Sequence, residues 1–182
     1  MGVLERKLSR SQVKGALEDA GAELGLAEDE FVSPVCAAYA LLKLNLQAEE
    51  VSRLLTWQDF EKLAGALLRV SGYEVKENIT LTKPRAQIDV VALGPSLVLS
   101  IDCKHYMRGQ GPAALRSAAT AQLARSKLLR RKLGYDKPIA SVILSMSEPE
   151  GRFVEGVAVV PIRTLRSFLN TIDSYASLLD LK

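Results

Sequence analysis

The chain predicts an α/β fold with a central mixed sheet flanked by helices, and three features of its 182 residues carry that reading. Short apolar runs with strand-like alternation follow one another after Thr56, separated by turn chemistry. Stretches of helical period stand before, between and after them. The composition, 48% hydrophobic and 25% charged, is that of a globular protein large enough for one full core. From Thr56 the order reads α-β-β-β-α-β-β-α, preceded by a helical N-terminal segment over residues 1–55.

Residues 3–54 read as helical throughout, with Leu4, Leu8, Val13, Leu17 and Leu24 at roughly helical spacing. Within them "SPVCAAYALLKLNL" opens on Ser33 as N-cap and Pro34 at the first helical position. Thr56 and Asp59 form a capping-box pattern, and Phe60, Leu63, Ala64, Leu67 and Ser71 follow on one stripe until Gly72. Three strands are expected in "YEVKENITLT", "AQIDVVAL" and "SLVLSIDCKH", with "KPRAQ" and "GPS" as the breaks between them. A helix over 113–133, the strand "PIASVILSM", the turn "SEPEGR", the short strand "GVAVV" and the helix "PIRTLRSFLNTI" complete the chain.

Charge divides the sequence. Residues 1–55 hold six Lys and Arg against nine Asp and Glu, whereas 56–182 hold eighteen against twelve. Residues 104–137 carry nine basic side chains and a single acid, Asp136. Such a block suits a polyanion, with nucleic acid the commonest, and equally a solvated basic helix face. No apolar run approaches a bilayer span, and "MGVLERKLSR" has no signal-peptide core, so a cytoplasmic location without membrane contact is expected. Cys36 and Cys103 then read as reduced, buried thiols.

The chemistry concentrates at one strand end. In "SLVLSIDCKHY", Val98, Ser100, Asp102 and Lys104 share one face, and Leu97, Leu99, Ile101 and Cys103 share the core face. In the preceding strand Gln87, Asp89 and Val91 share a face, so a hairpin through "LGPS" brings Asp89 opposite or diagonal to Asp102. Two carboxylates in a partly buried site repel unless a cation sits between them. Mg²⁺ or Mn²⁺ resolves that conflict, and Lys104 beside it can orient a water and face charge on a phosphoryl centre. Glu61, turned roughly 100° from Phe60, borders the apolar stripe near Trp57, Ala64 and Leu68 and can reach the edge of such a site.

"FEKLAGALLRVSGYEV", "AQIDVVAL" and "LVLSIDCKHY", in αβββαβ order, resemble the PD-(D/E)xK nuclease superfamily over roughly residues 56–165. The nearest likenesses are Mrr-like restriction endonucleases and archaeal Holliday-junction resolvases. The resemblance implies a restriction-endonuclease-like fold for a domain spanning 56–182. It also implies a metal-dependent DNA endonuclease that binds Mg²⁺ through Asp89, Asp102 and the backbone carbonyl of Cys103. Glu61 would assist directly or through water, and Lys104 would handle the attacking water. Ile88 stands where the superfamily's name has Pro.

Gln122 lies in the middle of the stripe formed by Leu115, Ala119, Leu129 and Leu133. It reads either as a residue beside the catalytic lysine, as some superfamily members have, or as a core amide bonded to backbone. Arg116, Lys127 and Arg131, flanked by Arg125, Arg130 and Lys132, are candidate phosphate contacts. Cys103 and His105 share the core face two residues apart, a poor geometry for a thiol–imidazole dyad, and His105 is placed at or beside the rim of the site. DNA is the expected partner. Fifty-five acidic helical residues make a poor sequence reader, so a repair or recombination nuclease that reads structure is favoured. An inactive nucleic-acid-binding or assembly module of the same fold is the alternative. A homodimer, and a protein docked on the N-terminal helices, are further candidate associations.

Overall fold

The computed structural model describes residues 9–105, 111–147, 153–175 and 178–179. Local stops divide the N-terminal third. Helix α1 (Arg10–Leu24) is capped by Ser9, whose hydroxyl accepts the Gln12 N–H while the Gln12 amide oxygen accepts the Ser9 N–H. It ends where Gly25 turns left-handed, at φ +64°. Helix α2 (Pro34–Lys43) starts behind the Ser33 cap as expected and stops before Asn45, also left-handed at φ +61°. Helix α3 (Ala48–Ser52) is little more than one turn. Among the described residues the continuous helical reading of 3–54 resolves into three α-helices and a 3-10 turn at Glu28–Glu30, and Leu4 and Leu8 lie outside the described residues. These helices share the main core: Leu24, Val35, Leu42 and Val51 pack with Phe60, Leu63 and Leu67 in one cluster.

Helix α4 (Trp57–Val70) follows with the predicted capping box. Thr56 Oγ1 accepts the Asp59 N–H at 3.1 Å, and Asp59 Oδ2 accepts the Thr56 N–H at 3.0 Å. A cap of this kind is worth about 1 kcal/mol. The strands β1 (Glu74–Leu81), β2 (Ala86–Leu93) and β3 (Val98–Lys104) run antiparallel in sequence. Helix α5 (Pro112–Leu133) then crosses over to β4 (Ile139–Ser145), which lies parallel to β3. β5 (Phe153–Val154) and β6 (Val157–Pro161) form a closing hairpin, and helix α6 (Leu165–Thr171) follows, with Ile172 and Leu179 after it also in the main core. The sheet order is β1-β2-β3-β4-β6-β5, mixed as expected. β5 is the strand that pattern reading does not supply, being only two residues long. It exists because Glu155 and Gly156, at φ +51° and +78°, turn the chain tightly onto β6. Most of the "SEPEGR" turn lies outside the described residues.

α4 and α5 cover opposite faces of the sheet. Leu99, Ile101 and Cys103 look toward α4, whereas Val91 and Val98 pack with Leu128 and Leu129 of α5. The face assignment from alternation holds along β3, whereas in β2 Ile88, expected on the face of Val90 and Ala92, packs instead with Val91 in the α5 cluster. The stripe of α5 is shorter than predicted: Leu133 is 46% exposed, because Leu128 and Leu129 already sit over Ile139, the first residue of β4. Beyond that point there is no sheet to cover. Among the described residues no helix is long and apolar enough to cross a membrane.

Candidate active site

The site begins where the β2/β3 ladder stops. Its last pairs are Val91 with Ser100 and Val90 with Ile101, so the same register sets Asp89 directly opposite Asp102. Backbone pairing ends one step short of them. Instead, Oδ2 of Asp89 accepts the Cys103 N–H at 2.8 Å. In an extended strand the carbonyl of a residue points to the same side as its N–H, so the Cys103 carbonyl shares this edge with Asp89. Burial raises the Asp89 carboxyl above its ordinary range, the Cys103 N–H bond opposes that, and the Asp102 charge adds to it.

Asp102 is only 6% exposed and is flanked by two cations. Arg125 Nη1 donates to its Oδ1 at 3.0 Å. Lys104 Nζ stands 2.9 Å from Oδ2, yet that buried oxygen makes no hydrogen bond. The Lys104 contact is thus an ion pair without hydrogen-bond alignment, and Oδ2 keeps unfilled acceptor capacity. Glu61, also 6% exposed, comes from α4 on the other face. Its carboxyl is pushed up to about 7, first by burial and then by Asp89, Glu77 and Asp102. Among the described residues no group of three His, Cys, Asp or Glu side chains is arranged to hold a metal ion, so a cation here would also draw on backbone oxygen and water. Two facing carboxylates and a backbone carbonyl suit a hard cation that keeps several waters, as Mg²⁺ does.

Beneath Asp102 lies a buried polar cluster. Gln122, 0% exposed, donates through Nε2 to the Ser100 carbonyl at 2.7 Å and to Ser100 Oγ at 3.2 Å. Its Oε1 accepts from Arg125 Nη1 at 3.2 Å. Ser126 Oγ donates to the Gln122 carbonyl, and Ser141 Oγ, on the β4 residue paired with Ser100, meets Ser126 Oγ at 2.7 Å. Of the two readings of Gln122, the backbone-bonded one describes its contacts: its amide is engaged by Ser100 and Arg125, with no bond to Lys104. Ser100, Ser126 and Ser141 escape pattern reading, since a serine in a strand or helix has no preferred partner. A signal for Arg125 existed, because it follows Gln122 by three residues and shares its face.

Cys103 and His105 part company. Burial pushes the Cys103 thiol well above the ordinary range, which removes the thiolate a nucleophile needs. His105, expected either to flank the site or to lie exposed at its rim, is half-buried. Its Nε2 lies 2.9 Å from the Ser52 carbonyl and its ring 5.8 Å from that of Phe60, tying the end of β3 to α3 and α4. Burial lowers its pKa. Both cysteines are free, and Cys36 is buried between α1 and α2 with Sγ donating to the Leu17 carbonyl at 3.3 Å.

The predicted phosphate contacts sort into two sets. Arg116, Lys127, Arg131 and Lys132 are exposed along α5. Arg130 is half-buried and turns Nη2 toward the Lys137 carbonyl at 3.4 Å. Arg125 belongs with Asp102, and the reason is tertiary: it lies one turn from Gln122, which Ser100 pins to β3. The last turn of α5, seven residues or about 10 Å beyond Arg125, lies toward the start of β3, away from the carboxylates.

Residues 56–146, half of the chain, match the family described as "Nuclease-related domain" (NERD), which belongs to the restriction-endonuclease-like PD-(D/E)xK superfamily. A protein of Archaeoglobus fulgidus, described as uncharacterized, is 28% identical over 124 residues, covering 66% of this chain and 95% of that one. No solved structure matches the chain.

Proposed function

The chain belongs to the nuclease-related domain family, and on that premise we propose that it is a metal-dependent endonuclease hydrolysing DNA phosphodiester bonds. One observation carries the reading: the Asp89–Cys103 bond sets a half-buried and a buried carboxylate across from each other at the strand end that also presents Lys104. Asp89, Asp102 and the Cys103 carbonyl would hold Mg²⁺ or Mn²⁺, which when bound supplies charge neutralisation and Lewis acidity for phosphoryl transfer. Lys104, held against Asp102, orients the attacking water and sets a positive charge where negative charge develops. Glu61, with its carboxyl at about 7, can hold or release a proton near neutrality at the same strand end.

DNA is the proposed partner, met by the exposed cations Arg116, Lys127, Arg131 and Lys132 of α5. Contacts of this kind favour a substrate recognised by its structure over one read by sequence, as in repair or recombination. The test is cleavage of linear duplex, single-stranded, flap and four-way-junction DNA with Mg²⁺, beside Asp102→Ala and Lys104→Ala. Cleavage of at least one substrate is expected, stopped by chelation and reduced by about 10²-fold or more in both variants. Wild type that cleaves none of them, or variants as active as wild type, would leave an inactive module of the same fold.

A further inference from the structure

We infer that Arg125 and the metal compete for Asp102: its guanidinium covers Oδ1, yields it to a divalent cation, and then serves the substrate phosphate. The inference rests on the proposed metal site and goes beyond it.

Four observations converge. Oδ1 of Asp102 carries a well-formed hydrogen bond from Arg125 Nη1 at 3.0 Å, while Oδ2 faces Lys104 without one. A cation that used Asp102 through both oxygens, or through Oδ1 alone, must meet the guanidinium there, and two cations at one oxygen repel. Lys104 sits two residues along the same strand and cannot go far. Arg125 can, because it reaches in from a separate helix and its side chain is 30% exposed.

The departure is guided. Nη1 also donates to Gln122 Oε1 at 3.2 Å, and that amide is pinned by two bonds to Ser100. Arg125 therefore has a fixed second partner when Oδ1 is taken. Both of its protein contacts among the described residues use Nη1 alone, so the rest of the donor fork remains for a phosphate's paired oxygens. The charges agree. Asp102 is paired with both Lys104 and Arg125, and a doubly charged ion entering between those two cations favours release of one of them.

The experiment is Mn²⁺ titration of the full chain by calorimetry, without DNA, for wild type, Arg125→Ala, Arg125→Lys, Arg131→Ala and Asp102→Asn, with DNA cleavage measured alongside. Arg125→Ala is expected to bind Mn²⁺ on the order of tenfold more tightly, the equivalent of one charged hydrogen bond, while cleaving more slowly. Arg125→Lys is expected to keep most of the competition. Arg131→Ala removes an exposed charge from the same helix, away from the carboxylates, and is expected to leave Mn²⁺ affinity unchanged. Arg125→Gln replaces Arg125→Ala with the same expectation if the alanine variant does not fold. Unchanged Mn²⁺ affinity in the Arg125 variant, or an equal gain in Arg131→Ala, overturns the inference. Asp102→Asn reports on the proposed site separately: if it binds Mn²⁺ as wild type does, the metal site itself is wrong, whatever Arg125 does.

Discussion

On one face of the strand end, α4 contributes Glu61, a buried carboxyl among other acids with no hydrogen bond among the described residues. On the other face, α5 contributes Gln122, Ser126 and Arg125, each bonded to a named partner. The α4 flank is otherwise apolar, with Phe60, Leu63 and Leu67 in the main core, while α5 carries its polar cluster between two smaller apolar patches. The two helices thus stabilise the same strands in different ways. α4 holds position by burial and leaves Glu61 frustrated. α5 holds position partly through polar bonds and leaves Arg125 paired.

Large-to-small changes in the two cores test that contrast first. Phe60→Ala is expected to cost about 3–5 kcal/mol in urea unfolding, enough to threaten the fold, since the ring is fully buried and also supports His105. Leu129→Ala, in the smaller α5 patch, should cost no more than that; a larger loss would place the main support on the α5 side.

Frustration at Glu61 predicts a pH signature. Its carboxyl is raised in the folded chain from 4.5 to about 7, so the folded state favours the protonated form. Stability from this group is fully present below its unfolded value and is lost as pH rises through about 7. With chelator present, Glu61→Gln should therefore gain up to about 3 kcal/mol over wild type above about pH 8, and nothing near about pH 4. A gain that did not depend on pH would mean that the carboxyl is not strained by its charge.

The polar cluster makes a smaller prediction. Ser126→Ala leaves Ser141 Oγ without its partner and should cost about 1–3 kcal/mol. Ser126→Ala with Ser141→Ala should cost less than the two single changes together, because neither hydroxyl is then left buried alone. Strict additivity in thermal unfolding would show that the serines are not one unit. The smallest effect is expected at Arg131: Arg131→Ala should stay within about 0.5 kcal/mol of wild-type stability and lower the salt dependence of DNA binding by about one phosphate contact.

The amino-acid sequence determined the local framework of this protein. The Thr56–Asp59 cap and the strands follow from spacings of two to four residues, and the short turn brought Asp89 opposite or diagonal to Asp102, a choice the sheet register then made. A period of two leaves no freedom over which side a strand residue faces, so Lys104 had to share a face with Asp102. Tertiary structure decided everything that depends on which element comes to rest opposite. Arg125 meets Asp102 across 23 residues, Ser141 meets Ser126 across 15, and His105 reaches Ser52 across 53. Glu61 acquires its strain only where α4 presses it toward Asp89 and Asp102. Buried polar groups must find partners, but the rule that they be satisfied does not say by whom. That choice is made by the packing of helices on the two faces of the sheet, and here it converts a pair of facing acids into a balanced cluster of acids and cations.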